Sequence, residues 1–364
     1  MDHSDIARLR LARHGITAPR FQSPEAVVRW LGAVQSQEYD VARWSLGQRT
    51  KTESDASVEQ ALSDGRILRT HVMRPTWHFV LPEDIRWLVE LTAPRIRRTL
   101  AYYDRQLELD EATFTRSDSL IVAALTDAGS LTRNEIARVL SAGGIEATGQ
   151  RLGHLMFHAE LGCLVCSGPR KGKQHTYSLL AARAPNAKSL PRDEALAALA
   201  RRFFSSHGPA TPKDFAVWAN LTLTDARRGL EMLAGAVETL TVDGRSYWLL
   251  GESTPPDADA PRAQLLQGYD EYIMGYNETK DVFGYGSTGY IRAGLPPMTH
   301  ALVIDGRVAG HWRRTQTPKA ITVDLQLYRR LNPTDLAATE TAIQRFGNFV
   351  GMPASIGTVD QPAL

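Results

Sequence analysis

Two glutamines, Gln35 and Gln37, follow the apolar run at residues 26–34 and have the clearest capacity for chemistry in the chain. A glutamine amide carries an acceptor oxygen and two N–H donors, so a buried pair can orient a water molecule or a ligand without adding net charge. Residues i and i+2 of a helix point about 200° apart, so both amides can face one site only where the helix ends. Gly32 and the polar residues 38–40 predict such an ending. Gln35 and Gln37 are therefore the candidate catalytic pair.

A second polar set occupies the strand-rich stretch at residues 67–81 and consists of Arg69, His71, Arg74, Thr76 and His78. Alternate residues of a strand point to one face, so Arg69 and His71 can share a surface. Arg74 can join them only if the strand continues past Met73, and Pro75 argues against that. Arg69, His71 and Arg74 are candidate contacts to phosphate or sugar groups, and His78 is a further candidate. The alternative is an exposed polar strand face that binds nothing.

Three acidic residues are alternative candidates for a catalytic group. Glu38 directly follows Gln37, and a carboxylate there can deprotonate water or stabilise a positive charge, but neighbouring side chains are expected to point apart. Asp270 and Glu271 are adjacent in a predicted strand and so face opposite sides. We therefore expect them to form structural salt bridges and not an acid/base couple.

Composition limits the number of packed units and the kinds of partner, metal site and compartment that fit this chain. The chain has 364 residues, 43% of them hydrophobic, which predicts two to four packed units. The net charge of +2 means that an anionic partner must be bound by local clusters of cations. Cys163 and Cys166 can form a redox pair or half of a zinc site, but their apolar neighbours favour thiols buried in a strand. We expect no metal, no cofactor and no membrane span, and a reducing cytoplasmic compartment.

A recurring pattern of three helices followed by a hairpin indicates winged-helix units. The clearest copy has helices at 120–125, 132–140 and 149–160, with strands at 163–167 and 176–180. Thr132 and Glu135 have capping-box spacing at the start of the second of these helices.

Two further copies are less regular. One has helices at 194–205, 211–219 and 223–233 and strands at 237–242 and 246–250. The other has helices at 6–14, 24–34 and 57–62, the hairpin at 67–81, then a helix at 83–91 and another after Pro94.

The C-terminal region has a different pattern. Strands are predicted at 301–304, 308–314 and 321–325, with an Asp305-Gly306 turn, and the chain closes with a helix at 333–346 that Gly347 ends. A proline-rich tract at 254–261 precedes this region. We predict an α+β fold, mostly helical, with three winged-helix units at 1–115, 116–185 and 186–252 and a β-rich region at 253–364.

Cations accompany the clearest winged-helix unit. Winged helices usually bind duplex DNA through the third helix and the hairpin tip, called the wing. Arg151 and His154 lie on the predicted third helix, and Arg170, Lys171 and Lys173 lie on the wing. Arg151 and the three wing cations are candidate DNA contacts. The alternatives are a solvated turn or a surface that binds protein.

Three blocks, at residues 32–37, 69–78 and 268–276, together resemble the AlkZ-type winged-helix DNA glycosylases. That family excises alkylated purines, including interstrand crosslinks, and has a Gln-x-Gln branch and a YcaQ-like branch with Gln-x-Asp. The resemblance implies that Gln35 and Gln37 are the catalytic pair of the Gln-x-Gln branch. Ser36 departs from the apolar residue that is usual at the middle position.

The resemblance implies a monofunctional glycosylase for bulky N7-alkylguanine adducts or crosslinks, serving self-resistance to a genotoxic natural product. Its partner would be double-stranded DNA with an alkylated guanine, and the protein would act as a cytoplasmic, nucleoid-associated monomer. An N7-alkylated guanine is already cationic, so its departure needs little acid assistance, and two neutral amides suffice to orient water. The alternative is a non-catalytic winged-helix protein that regulates transcription or recognises damage.

Overall fold

The computed structural model describes residues 1–17, 20–52, 54–251, 260–284 and 300–362. It confirms the predicted α+β class, with more residues in helices than in strands. The helices are α1 (His3–Arg13), α2 (Pro24–Leu31), α3 (Tyr39–Gly47), α4 (Asp55–Ser63), α5 (Ile85–Gln106), α6 (Glu111–Ala128), α7 (Arg133–Ala142), α8 (Gly149–Leu161), α9 (Leu180–Arg183), α10 (Arg192–Ser206), α11 (Pro212–Trp218), α12 (Leu223–Glu231), α13 (Glu271–Met274) and α14 (Pro333–Val350). The strands are β1 (Val34–Gln35), β2 (Leu68–Val72), β3 (Thr76–Val80), β4 (Leu131–Thr132), β5 (Val165–Ser167), β6 (Thr176–Leu179), β7 (Val237–Val242), β8 (Arg245–Leu250), β9 (Ala263–Leu266), β10 (Ala301–Ile304), β11 (Arg307–Gln316), β12 (Ile321–Leu327) and β13 (Ala354–Asp360).

The chain forms two compact units. The first comprises Met1–Glu59, Ala197–Trp218 and Thr222–Leu364, and the second comprises Gln60–Leu196 and Ala219–Leu221. The predicted four-part division of the chain stays a prediction. Most of the proline-rich tract that suggested its last boundary, residues 254–259, lies outside the described residues.

A five-stranded sheet in the order β13-β12-β11-β10-β9 forms part of the first unit. Its strands pair antiparallel except β12 and β13, which are parallel. The predicted Asp305-Gly306 turn joins β10 to β11, and both residues have positive φ, 50° and 82°. Two positive φ values at the turn match the right-handed twist of the strands, which is why Asp-Gly is favoured there.

The last helix extends beyond its predicted end. Helix α14 continues to Val350 and is ended by Gly351 at φ 76°, so the predicted stop at Gly347 was wrong. Gly347 instead allows a close approach, because a Cβ atom there would lie 2.6 Å from the Met352 carbonyl oxygen and 2.7 Å from the Ala354 Cβ. A glycine inside this helix therefore reflects packing and does not mark its end.

The second unit contains the clearest predicted copy of the repeat. Helices α6, α7 and α8 and strands β5 and β6 follow the predicted order, and β4 adds a short strand to give the sheet order β4-β6-β5. Thr132 caps α7 in a complete capping box with Glu135. Phe114, Ile121 and Leu155 are among the side chains that form the core between these elements.

Two predicted helices in the second unit are one. Helix α5 runs through Pro94 without a break, which corrects the predicted division at that residue. A proline removes one main-chain hydrogen bond from a helix. Buried side chains before and after it, such as Leu91 and Ile96, keep the helix packed along its first half.

The predicted hairpin at 237–250, β7 with β8, pairs antiparallel in the first unit around Asp243 and Gly244. Across the described residues, no helix is both long enough and apolar enough to cross a membrane.

Candidate active site

The Gln35-Ser36-Gln37 segment lies in the first unit, between α2 and α3. Helix α2 ends at Leu31 because Gly32 adopts φ 87°, and Val34–Gln35 is extended, so the predicted helix over 24–34 was too long by three residues. Gln35 and Ser36 are buried and Gln37 is exposed. The motif therefore passes from the interior to the surface within three residues.

The Gln35 backbone is held at both of its polar groups. Its N–H donates to Glu271 Oε1 at 2.7 Å, and its carbonyl accepts from Gln267 Nε2 at 3.3 Å. The other Glu271 oxygen accepts from Trp218 Nε1 at 2.6 Å. Glu271 and Gln267 are fully buried, so these bonds form away from solvent. A buried polar group left without a hydrogen bond there would destabilise the fold.

Asp270 has a separate structural role. Both of its carboxylate oxygens accept from Arg49, at 2.7 and 2.9 Å, and Ser45 Oγ donates to it at 2.7 Å. Arg49 and Asp270 are both fully buried. The expected structural salt bridge is confirmed for Asp270, but the two carboxylates lie at the start of α13 and not in the predicted strand.

Glu38 lies beside residues from the C-terminal part of the first unit. Its Oε2 is 3.6 Å from His300 Nε2. Burial raises the pKa of the Glu38 carboxyl, and Arg314 opposes that shift. The pKa of Tyr269 is also raised, first by burial and then by Glu38. The sequence did not connect Glu38 with His300, because the two are far apart in the chain.

The β2–β3 hairpin lies in the second unit and carries the second polar set. The guanidinium of Arg69 lies 4.2 Å from the Trp77 ring centroid. His71 Nδ1 is 2.6 Å from Glu160 Oε2, and the His71 ring lies between Trp77 and Phe157, with centroids 3.9 and 4.0 Å away. His71 and Trp77 also line an open cavity of about 530 Å³.

Arg74 lies in the turn of this hairpin, where Met73 has φ 59°. The strand ends at Val72, as Pro75 suggested. His78 Nδ1 donates to the Thr76 carbonyl at 2.9 Å, which leaves His78 Nε2 as the acceptor for Arg74 Nη2 at 3.3 Å.

The wing cations lie between β5 and β6. Arg170 Nη2 donates to the Lys173 carbonyl at 2.8 Å, and Lys171 Nζ donates to the Ser130 carbonyl at 3.0 Å. Lys171 and Lys173 are exposed. Lys171 Nζ also lies 3.4 Å from Glu135 Oε2 in a partly exposed ion pair. Both ammonium groups are at the surface of the second unit, where solvent screens that pairing.

Arg151 has contacts of a different kind. Its guanidinium donates to the Glu146 carbonyl at 2.9 Å and to the Leu107 carbonyl. The neighbouring His154 Nδ1 lies 2.6 Å from Asp104 Oδ1. These bonds join α8 to the segments before it, so the side chain of Arg151 already has a role within its own unit.

The two cysteines are free. Cys166 is buried in β5, whereas Cys163 lies in a turn at φ 56° before that strand, so the predicted strand begins two residues too early. Burial raises the thiol pKa to about 11 for Cys163 and about 12 for Cys166. Within the described ranges, no group of three or more His, Cys, Asp or Glu side chains is arranged to hold a metal ion.

A family model for AlkZ-like DNA glycosylases matches residues 28–349. The chain belongs to the AlkZ-like DNA glycosylase family. This match confirms the resemblance noted in the sequence and includes Gln35, Gln37 and the residues that hold Gln35. As a member of the family, the chain is a DNA glycosylase and acts on DNA.

A curated sequence and a solved structure, both from Streptomyces sahachiroi, are similar to this AlkZ-like chain. An interstrand DNA cross-link repair glycosylase is 27% identical over 327 residues, which is 84% of this chain and 86% of that protein. The solved structure of the DNA glycosylase AlkZ has a TM-score of 0.80 and 22% identity, covering 98% of this chain and all of that one. The structural match shows that the two share a fold.

Proposed function

We propose that this chain is a monofunctional DNA glycosylase that removes N-alkylated purines from double-stranded DNA. The substrates would be bulky N7-alkylguanine adducts or interstrand crosslinks. The crosslinks are supported by the Streptomyces relative, which is named an interstrand DNA cross-link repair glycosylase. The observation that carries the proposal is the Gln-x-Gln segment, whose first residue has both backbone groups bound by buried side chains. A site held in this way orients its groups before the substrate arrives.

The chemistry that two glutamines can supply suits a cationic leaving group. When the C1′–N9 bond of an N7-alkylated deoxyguanosine breaks, the electron pair moves to the base, and the base leaves neutral. The sugar becomes positively charged, and amide oxygens can both face that charge and orient a water molecule toward C1′. A neutral adenine would need protonation first and should be a poor substrate.

DNA binding is proposed for Arg69, His71, Arg74, Arg151, Arg170, Lys171 and Lys173. The exposed Lys171 and Lys173 suit contacts to the phosphate backbone, since such contacts depend on charge and not on sequence. We also propose that the protein acts as a monomer in the cytoplasm, at the nucleoid, and protects its host against an alkylating natural product.

The test is base release from duplex oligonucleotides that carry 7-methylguanine, a bulky N7-alkylguanine or an N7-linked interstrand crosslink. Gln35→Ala and Gln37→Ala should each lower the single-turnover rate by roughly 100-fold or more, because each removes groups that orient water or face the sugar cation. Gln22→Ala, at an exposed glutamine outside the motif, is the matched control.

Two results would contradict the proposal. Unchanged rates in both motif variants would remove the catalytic assignment. A wild-type protein that binds duplex DNA but releases no base from any of the three lesions would favour the regulatory alternative.

A further inference from the structure

His300 has a defined tautomer that directs a proton toward Glu38. The backbone N–H of Gly268 donates to His300 Nδ1 at 3.0 Å, so the ring proton lies on Nε2. The Trp312 ring, with its centroid 4.6 Å away, packs against the imidazole. The Nε2 atom is 3.6 Å from Glu38 Oε2. That separation is slightly longer than an ordinary N–H···O hydrogen bond, and the Glu38 side chain is half-exposed.

The surroundings keep His300 neutral and Glu38 basic. Burial lowers the pKa of His300 to about 4, so at pH 7 the ring is uncharged and keeps its Nε2 proton on the side of Glu38. Burial raises the pKa of Glu38. The titratable and charged groups that face Glu38 are His300 before β10, Tyr269 after β9 and Arg314 on β11. A carboxylate with a raised pKa is a better proton acceptor than an ordinary one.

The same short segment after β9 that contacts this pair also holds the glutamine motif. Gln267 and Glu271 bind the Gln35 backbone, and Gly268, between them in sequence, binds His300. Glu38 is joined to the motif through Gln37. The segment at residues 267–271 therefore binds both the backbone of the motif and His300, the neighbour of Glu38, within the first unit.

We propose that Glu38 is a catalytic residue that accepts the proton of the attacking water, and that His300 positions its carboxylate. The inference rests on the proposed glycosylase reaction and supplies the base that two amides lack. The C1′–N9 bond breaks with its electron pair going to the cationic base. The water oxygen forms the new bond to C1′, and the water proton moves to a Glu38 oxygen and then to solvent.

The test of Glu38 uses the whole protein and a duplex with one 7-methylguanine under single-turnover conditions. Glu38→Gln should lower the rate by roughly 100-fold while DNA affinity stays unchanged, and Glu38→Asp should retain part of the activity. Asp40→Asn is the matched control, since Asp40 is an exposed carboxylate two residues away. Thermal melting of each variant separates loss of chemistry from loss of fold.

The pH profile tests proton acceptance. The wild-type rate should fall as pH decreases through the raised pKa of Glu38, because the protonated carboxyl cannot accept a proton. Glu38→Gln should show a low rate without this acid limb. His300→Gln, which keeps an amide donor and has no titratable group, should keep the acid limb and part of the rate.

The role of His300 is tested by His300→Ala, which should lower the rate by up to roughly 100-fold without weakening DNA binding. A His300→Ala protein that loses thermal stability but not rate would overturn the positioning role. A Glu38→Gln protein with the wild-type rate would overturn this inference alone, since the wild type would still release base. A wild type that releases no base would overturn the proposed function as well.

Discussion

At the scale of single residues, the candidate site depends on carboxylates that do not themselves belong to the glutamine motif. Glu271 lies 236 residues from Gln35 in sequence, yet it binds the Gln35 backbone and Trp218. The adjacent Asp270 instead holds Arg49 in a fully buried ion pair. Two neighbouring acids thus have separate tasks, one supporting the motif and the other the core around it.

Asp270→Asn should strongly destabilise the protein. The substitution keeps the shape of the side chain but leaves the Arg49 guanidinium buried without its countercharge. We expect the free energy of unfolding to fall by about 3–5 kcal/mol, measured by urea denaturation. The control is Asp305→Asn at the half-exposed pair with Arg262, where the loss should be below about 1 kcal/mol. Equal losses would show that burial does not determine the effect.

At the scale of helices and strands, local signals predicted some ends correctly and not others. The Thr132–Glu135 capping box and the Asp305-Gly306 turn are confirmed, because both depend only on groups within a few residues. The end of α2, the continuity of α5 through Pro94 and the end of α14 were wrong. Helix α3 was not predicted at all. In α5 and α14, buried contacts outweighed the local signal that the sequence carries.

Two turn glycines give a matched test that separates the local backbone effect from contacts with residues far away in sequence. Gly244 and Gly306 both have positive φ, 76° and 82°. A Cβ at Gly244 would meet no atom within 4 Å, whereas one at Gly306 would lie 2.8 Å from the Ala7 Cβ. Gly244→Ala should cost about 1–2 kcal/mol from backbone strain alone. Gly306→Ala should cost about 1–3 kcal/mol more from overpacking, as measured by thermal or urea unfolding. Equal destabilisation would contradict a role for the Ala7 contact.

At the scale of the whole molecule, the net charge of +2 is too small to explain DNA binding by overall attraction. Binding must depend on where cations are concentrated. Lys171 and Lys173 are exposed at the wing of the second unit, and they are therefore the clearest test of the proposed DNA contacts.

The double variant Lys171→Ala, Lys173→Ala should weaken duplex binding and make it less sensitive to salt. Each lost phosphate contact reduces the slope of log affinity against log salt by about 0.9, so the slope should change by up to about 2. Lys51→Ala, Lys319→Ala removes the same charge from other exposed positions and should leave the slope unchanged. The same slope in both double variants would contradict DNA contacts by the two wing lysines. Fluorescence anisotropy at several salt concentrations measures the affinity and its salt slope.

The sequence by itself determined the family, the α+β class, several caps and turns, and the glutamine pair as the candidate site. The caps, the turns and the glutamine pair depend on residue types at short spacing, and the family resemblance depends on three short blocks in the right order. A single chain displays both directly. Only the tertiary structure decided that Glu271, Trp218 and Gln267 support Gln35, and that His300 lies beside Glu38. The physical reason is that these contacts join segments far apart in sequence, and packing of the core, which no local spacing encodes, brings them together.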